Sequence, residues 1–132
     1  MKPIFYVATP YTHPNKEVMR LRRDLVTEYC ARQSRKGFVI FSPITHSHEI
    51  ALYGTPTSWG FWQQIDKEFL RVCDYMVVLT LPGWKDSIGV TAERDHCDDA
   101  GIPVFYTKWE EDLDEVLPLA IHKDATVEVP KE

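Results

Sequence analysis

The sequence is poor in glycine (6 of 132 residues) and in cysteine (3), and the glycine-rich phosphate loops of the common nucleotide folds are missing from it. No GxxxxGK[ST] segment occurs, which excludes P-loop phosphoryl transfer, and no GxGxxG follows the first strand, which argues against a dinucleotide fold. A GxSxG elbow is absent as well, so an α/β-hydrolase triad is not expected. Cys30, Cys73 and Cys97 are odd in number and widely spaced. They make neither a disulfide framework nor a metal motif, and they suit a reducing, cytoplasmic compartment. Positive charge is scarce: Lys and Arg number 15 against 20 Asp and Glu, for a net charge of −5. A nucleic-acid polymer or an anionic membrane surface is therefore not an expected partner. Neither a signal peptide nor an apolar run long enough to span a bilayer is visible.

What is present is ordinary globular material, 44% hydrophobic and 27% charged. The length allows one real core and no second domain. Residues 1–121 read as that domain, and residues 122–132 as a polar tail or a short edge strand (TVEV). The basic cluster Arg20, Arg22, Arg23 falls on a predicted helix and reads as its solvated face.

Along the chain, strands and helices alternate. Lys2 to Ala8 is an apolar run ended by Thr9-Pro10, where proline takes the chain out of the sheet. A helix over roughly Asn15 to Lys36 follows, with Val18, Leu21, Leu25 and Tyr29 spaced for one face and Val26 and Cys30 widening it. Phe38 to Phe41 is the second strand, so the first forty residues form a right-handed βαβ unit. The polar and aromatic segment after Ser42-Pro43 reads as a short helix and loop over the sheet's carboxyl edge. A helix over about Ser58 to Val72 is expected to pack Phe61, Ile65 and Phe69 inward, with Trp62 and Asp66 on the flank. Tyr75 to Leu81 suits a strand buried on both faces. Val104 to Tyr106 is a fourth strand and Trp109 to Ala120 a closing helix. The expected architecture is a single three-layer α/β/α sandwich. Its sheet is flavodoxin- or Rossmann-like, mostly parallel, of four or five strands in the order 2-1-3-4(-5).

Chemistry concentrates after the central strand. Pro82, Gly83 and Asp86 break the run and Ser87 opens a helix, so unpaired amides and a positive dipole end lie beyond a strand's carboxyl terminus. Ser87 is an ordinary N-cap on one reading; on the other, its hydroxyl and the Gly89 amide hold a phosphate. Glu93 stands about two turns into the same helix and is either a solvated helix former or a reactive acid. Asp66 is either an exposed helix residue or a second acid, and Tyr6 is either core or a hydrogen-bonding partner in the site. Thr9 ends the first strand beside them. His46 and His48 have no carboxylate or cysteine at a ligand spacing, so no metal is expected; they are pocket hydrogen-bonders or idle loop residues. Trp59 and Trp62 are core or a wall for stacking a base.

The segments YVATPY at Tyr6 to Tyr11, Asp66 ahead of CDYMVVL, and SIGVTAE at Ser87 to Glu93 resemble the nucleoside 2-deoxyribosyltransferase superfamily. In particular they resemble a small phage and bacterial branch of it. The likeness covers about Lys2 to Tyr106. It implies Glu93 as the nucleophile on the anomeric carbon, Tyr6 as the residue that orients it, and Asp66 as the acid that assists departure of the base. Ser87, Gly89, Thr9, His46 and Trp62 become substrate contacts. Members that take free nucleosides carry a carboxylate six positions before the nucleophile, where this chain has Ser87. A hydroxyl there favours a (deoxy)nucleoside 5′-monophosphate, as in the related nucleotide N-hydrolases. The implied activity is N-glycosidic cleavage without a cofactor, in a homo-oligomer. Base exchange is the near alternative, and a silent nucleotide-binding sensor is the alternative of another class.

Overall fold

The computed structural model describes residues 1–131. Four strands form an all-parallel sheet in the order β2-β1-β3-β4: β1 (Ile4–Ala8), β2 (Val39–Phe41), β3 (Tyr75–Leu79) and β4 (Val104–Thr107). β1 pairs with β2 from Ile4 opposite Val39, and with β3 from Phe5 opposite Tyr75. β3 pairs with β4 from Met76 opposite Val104. The order is that expected for a flavodoxin-like α/β sandwich, without a fifth strand among the described residues. In the tail, Thr126 makes a single antiparallel bridge to Phe38, and Val127 N donates to Gly37 O at 2.7 Å. Ala125 is fully buried, so the domain's packing runs past residue 121.

Alternation along the strands divides the core in two. Phe5, Val7, Val77 and Leu79 face one side, where α1 (Lys16–Arg35) contributes Val26, Tyr29 and Cys30. Leu113 and Leu117, in and beside α5 (Leu113–Val116), complete that side. Tyr6, Ala8, Met76 and Val78 face the other, against Leu70 of α3 (Trp59–Arg71) and Val90 and Cys97 of α4 (Ile88–Ala100). Between β2 and α3, α2 (Pro43–Ala51) starts with proline in its first turn and Ser42 as N-cap, the side chain accepting from Thr45 N at 3.1 Å.

Four expectations need correction. The buried stripe of α3 is Trp62, Asp66 and Leu70, whereas Phe61 and Phe69 are more than a third exposed. Each helical residue turns about 100°, so the two candidate stripes lie side by side on one helix. The buried one turns Trp62 and Asp66 to the cavity and packs Leu70 into the core against the sheet. Phe69 instead stacks on Phe41 at the sheet edge, with ring centres 4.5 Å apart. On α1, Leu21 is exposed and the buried face is Val26, Tyr29, Cys30 and Gln33. The closing segment is two short helices, α5 and α6 (Leu119–His122). Pro118 separates them and holds the preceding Leu117 extended, at φ −80° and ψ 143°. Finally, the basic cluster is not all solvated face, because the half-buried Arg22 ties loops together at the site.

Candidate active site

The strand order reverses between β1 and β3, so the loops that leave them part and open a crevice at the carboxyl edge. Arg22 braces that crevice. Its Nη1 donates to Tyr11 O at 3.3 Å and Thr12 O at 3.2 Å, and its Nη2 to Pro82 O at 3.2 Å. Gly83, at φ +92°, lets the second loop approach; a Cβ there would stand 2.8 Å from Arg22 Nη2. Next come one 3₁₀ turn (Trp84–Asp86) and α4. The result is a cavity of about 440 Å³, within the range of small-molecule sites.

Its floor is built from α3, α4 and β1. Glu93 lines the cavity at 4% exposure, and the fully buried Tyr6 hydroxyl donates to its Oε2 from below. Tyr6 thereby leaves Oε1 to other partners. Asp66 lines the cavity at 5% exposure, and its buried Oδ1 has no hydrogen-bond partner. The Thr9 hydroxyl, in the same floor, is also buried without a partner. Burial raises Glu93 to about 8; the Tyr6 hydrogen bond opposes that shift and the neighbouring Asp66 charge adds to it. Burial alone raises Asp66 to about 6. Tyr6 is pushed well above the usual phenol range, by burial first and then by Glu93.

The walls come from α2, α3 and the loops. Ile44, Ser47, His48 and Ala51 recur at helical spacing along one side of α2 and all line the cavity. The Tyr11 hydroxyl lies 2.6 Å from His48 Nδ1, and burial holds His48 below its ordinary value, so the ring is neutral near pH 7. Trp62 Nε1 donates to Pro56 O at 2.7 Å, anchoring the loop ahead of α3 while the ring lines the cavity. At the rim, Ser87 caps α4 by accepting from Val90 N at 3.2 Å. Helix geometry leaves the Ile88 and Gly89 amides without carbonyl partners inside α4. A Cβ on Gly89 would stand 3.5 Å from the Trp59 ring. Asp86 lies on the same rim, and among the described residues no lysine or arginine lines the cavity.

Six of the residues singled out in the sequence therefore line one cavity: Glu93, Asp66, Ser87, Gly89, Thr9 and Trp62. Tyr6 supports them from beneath. His46 does not join them. It is exposed on the opposite side of α2, against Phe41 and Phe69. Two residues rotate a helix by about 200°, so His46 and His48 cannot share a face, and His48 is the one that turns inward. Tyr11, His48, Trp59 and Asp86 are lining residues that the sequence reading left unassigned or open. The Ile44, Ser47, Ala51 spacing was the available signal for His48.

No curated protein matches the chain. Residues 3–110, a segment that holds every lining residue of the cavity, match the family model described as "Domain of unknown function (DUF1937)", and the chain belongs to that family.

Proposed function

We propose that the protein is an N-glycosidase that cleaves the base–sugar bond of a (deoxy)nucleoside 5′-monophosphate. The observation that carries this reading is the meeting of two buried carboxyls, Glu93 and Asp66, in one cavity, the first held by the Tyr6 hydroxyl. Glu93 attacks C1′ as the C1′–N bond breaks with its electron pair moving to the base. Asp66 gives that base a proton, and water then hydrolyses the glycosyl ester. Burial raises both carboxyls, Glu93 the further, whereas the reaction needs Glu93 ionised and Asp66 protonated. The Glu93 proton therefore passes to Asp66 before attack, and the positive charge that then develops on the sugar favours the Glu93 carboxylate. The neutral Ser87 and the free amides of the α4 terminus support a 5′-phosphate seat.

A second reading, base exchange on a free nucleoside, is favoured by the carboxylate of Asp86 on that rim and by the lack of a lining cation. Incubation with nucleotides and nucleosides, with and without an acceptor base, separates the readings. Free base plus sugar phosphate supports hydrolysis, and a swapped nucleoside supports transfer. Tight binding without turnover makes the protein a nucleotide sensor and overturns both. Homo-oligomeric assembly belongs to the same proposal and is supported by the exposed Phe61, Phe69 and Val72 of the α3 region. So does a cytoplasmic location, with which the three free, buried cysteines agree. Among the described residues no helix is long and apolar enough to cross a membrane.

A further inference from the structure

We propose that the cavity selects an N-glycoside whose base carries a fixed positive charge, such as an N-alkylpyridinium or 7-alkylpurinium nucleoside. This inference rests on the glycosidase reading of the same cavity and narrows its substrate class. Buried carboxyls in folded proteins are normally matched by a cation or by hydrogen bonds. Here Asp66 and Glu93 are buried in the cavity, Asp86 is exposed at its rim, and among the described residues no lysine or arginine lines it. Asp66 Oδ1 is buried with no partner at all. Glu93 has the Tyr6 hydroxyl, so the unmatched group is Asp66, and the ligand supplies its counter-charge.

The walls say what kind of cation it is. Trp59, Trp62 and Tyr11 line the same space, and aromatic rings attract a flat cationic ring both by stacking and through the ring quadrupole. A divalent metal ion fits less well. Among the described residues, the carboxylates that gather as closely as a metal requires are Asp112, Asp114 and Glu115, not the three in the cavity. That group is already engaged by Lys36, which pairs with Asp112 and Asp114.

A cationic base also simplifies the chemistry. When Glu93 forms its bond to C1′, the C1′–N electron pair returns to the positively charged ring nitrogen, and the base leaves neutral without receiving a proton. Water then displaces Glu93 from the sugar and its proton passes to Asp66. The fixed charge beside Glu93 stabilises the ionised form that must attack. A neutral base needs Asp66 protonated and Glu93 ionised together; a cationic base needs only carboxylates.

The test compares ligands that differ in charge and hardly in shape. Calorimetric titration of the wild-type protein with 1-methylnicotinamide and with its neutral carbon isostere, 3-methylbenzamide, should show the cation binding at least about tenfold more tightly. The preference should shrink in Asp66→Asn. Equal or weaker binding of the cation overturns the inference. Turnover of 7-methylguanosine against guanosine, each with and without a 5′-phosphate, is measured alongside. A cation preference in binding with no cleavage of any substrate sustains the charge selection and overturns the glycosidase reading. Cleavage of guanosine at least as fast as 7-methylguanosine does the opposite.

Discussion

Tyr6 and Glu93 are 87 positions apart in the chain, and the phenol of the first donates to the carboxyl of the second beneath the cavity floor. One comes from the middle of β1 and the other from the second turn of α4, so the contact exists only because β1 and β3 pair in register. The hydrogen bond opposes the upward pull of burial on Glu93. In the proposed reaction Tyr6 is a positioning residue, its effect read through the ionisation of its partner.

Tyr6→Phe should lower kcat by about 10- to 100-fold, the range for losing a hydrogen bond to a charged group. The acidic limb of the pH–rate profile should move to higher pH, because the interaction that holds Glu93 down is gone. A fall in kcat with an unmoved limb assigns Tyr6 a packing role only.

Glu93→Gln should abolish turnover and also change how stability depends on pH. The folded state holds the Glu93 proton up to about pH 8, while the carboxyl's ordinary value is 4.5. Between those values the folded state binds more protons than the unfolded one, so stability falls as pH rises. The loss is up to about 5 kcal/mol for this group. Glutamine cannot ionise, so the variant should melt above the wild type at pH 8 and close to it at pH 4, by calorimetry. Parallel melting curves across that window contradict the buried, proton-holding Glu93.

Ser87→Asp tests the phosphate seat. Aspartate is as good an N-cap as serine, so α4 should persist by circular dichroism. The added charge should raise KM for a nucleoside 5′-monophosphate at least about tenfold more than for the matching nucleoside. An equal effect on both removes the phosphate from the proposal.

The two histidines of α2 should separate cleanly. His48→Ala removes a cavity wall and the partner of Tyr11, and should raise KM about tenfold or more. His46→Ala changes an exposed side chain outside the cavity and should stay within about twofold of wild type. Matching effects from both variants show that α2 is turned differently in solution.

Gly37→Ala probes the tail. Gly37 sits at φ +93°, and a Cβ there would run into the Val127 carbonyl. The variant should lose about 1–3 kcal/mol of stability, measured by urea denaturation, by straining that turn and displacing the segment that covers Phe38.

Much of this architecture was legible in the chain. Apolar runs closed by proline marked the first three strands, Ser58 and Ser87 marked helix starts, and the reversal of order at β1 and β3 followed from the βαβ sequence. Residue type and position left Glu93, Asp66 and Tyr6 open between idle and reactive readings, and the family resemblance singled them out. The break at Pro118 was legible too, since proline constrains the residue before it, but the apolar periodicity of Leu113, Val116 and Leu117 masked it.

Local order, then, is written in the chain: which segments pair, where helices begin, and which acids stand near a strand's carboxyl end, because propensity and capping act within a few residues. Rotation and charge state are not. On α3 two apolar stripes lie side by side, and on α2 two histidines face opposite ways. The sheet and the neighbouring helices select which one turns inward. The ionisation of Asp66 and Glu93 is likewise a property of the low-dielectric space around them, assembled from α3, α4 and β1, and no stretch of sequence contains that space.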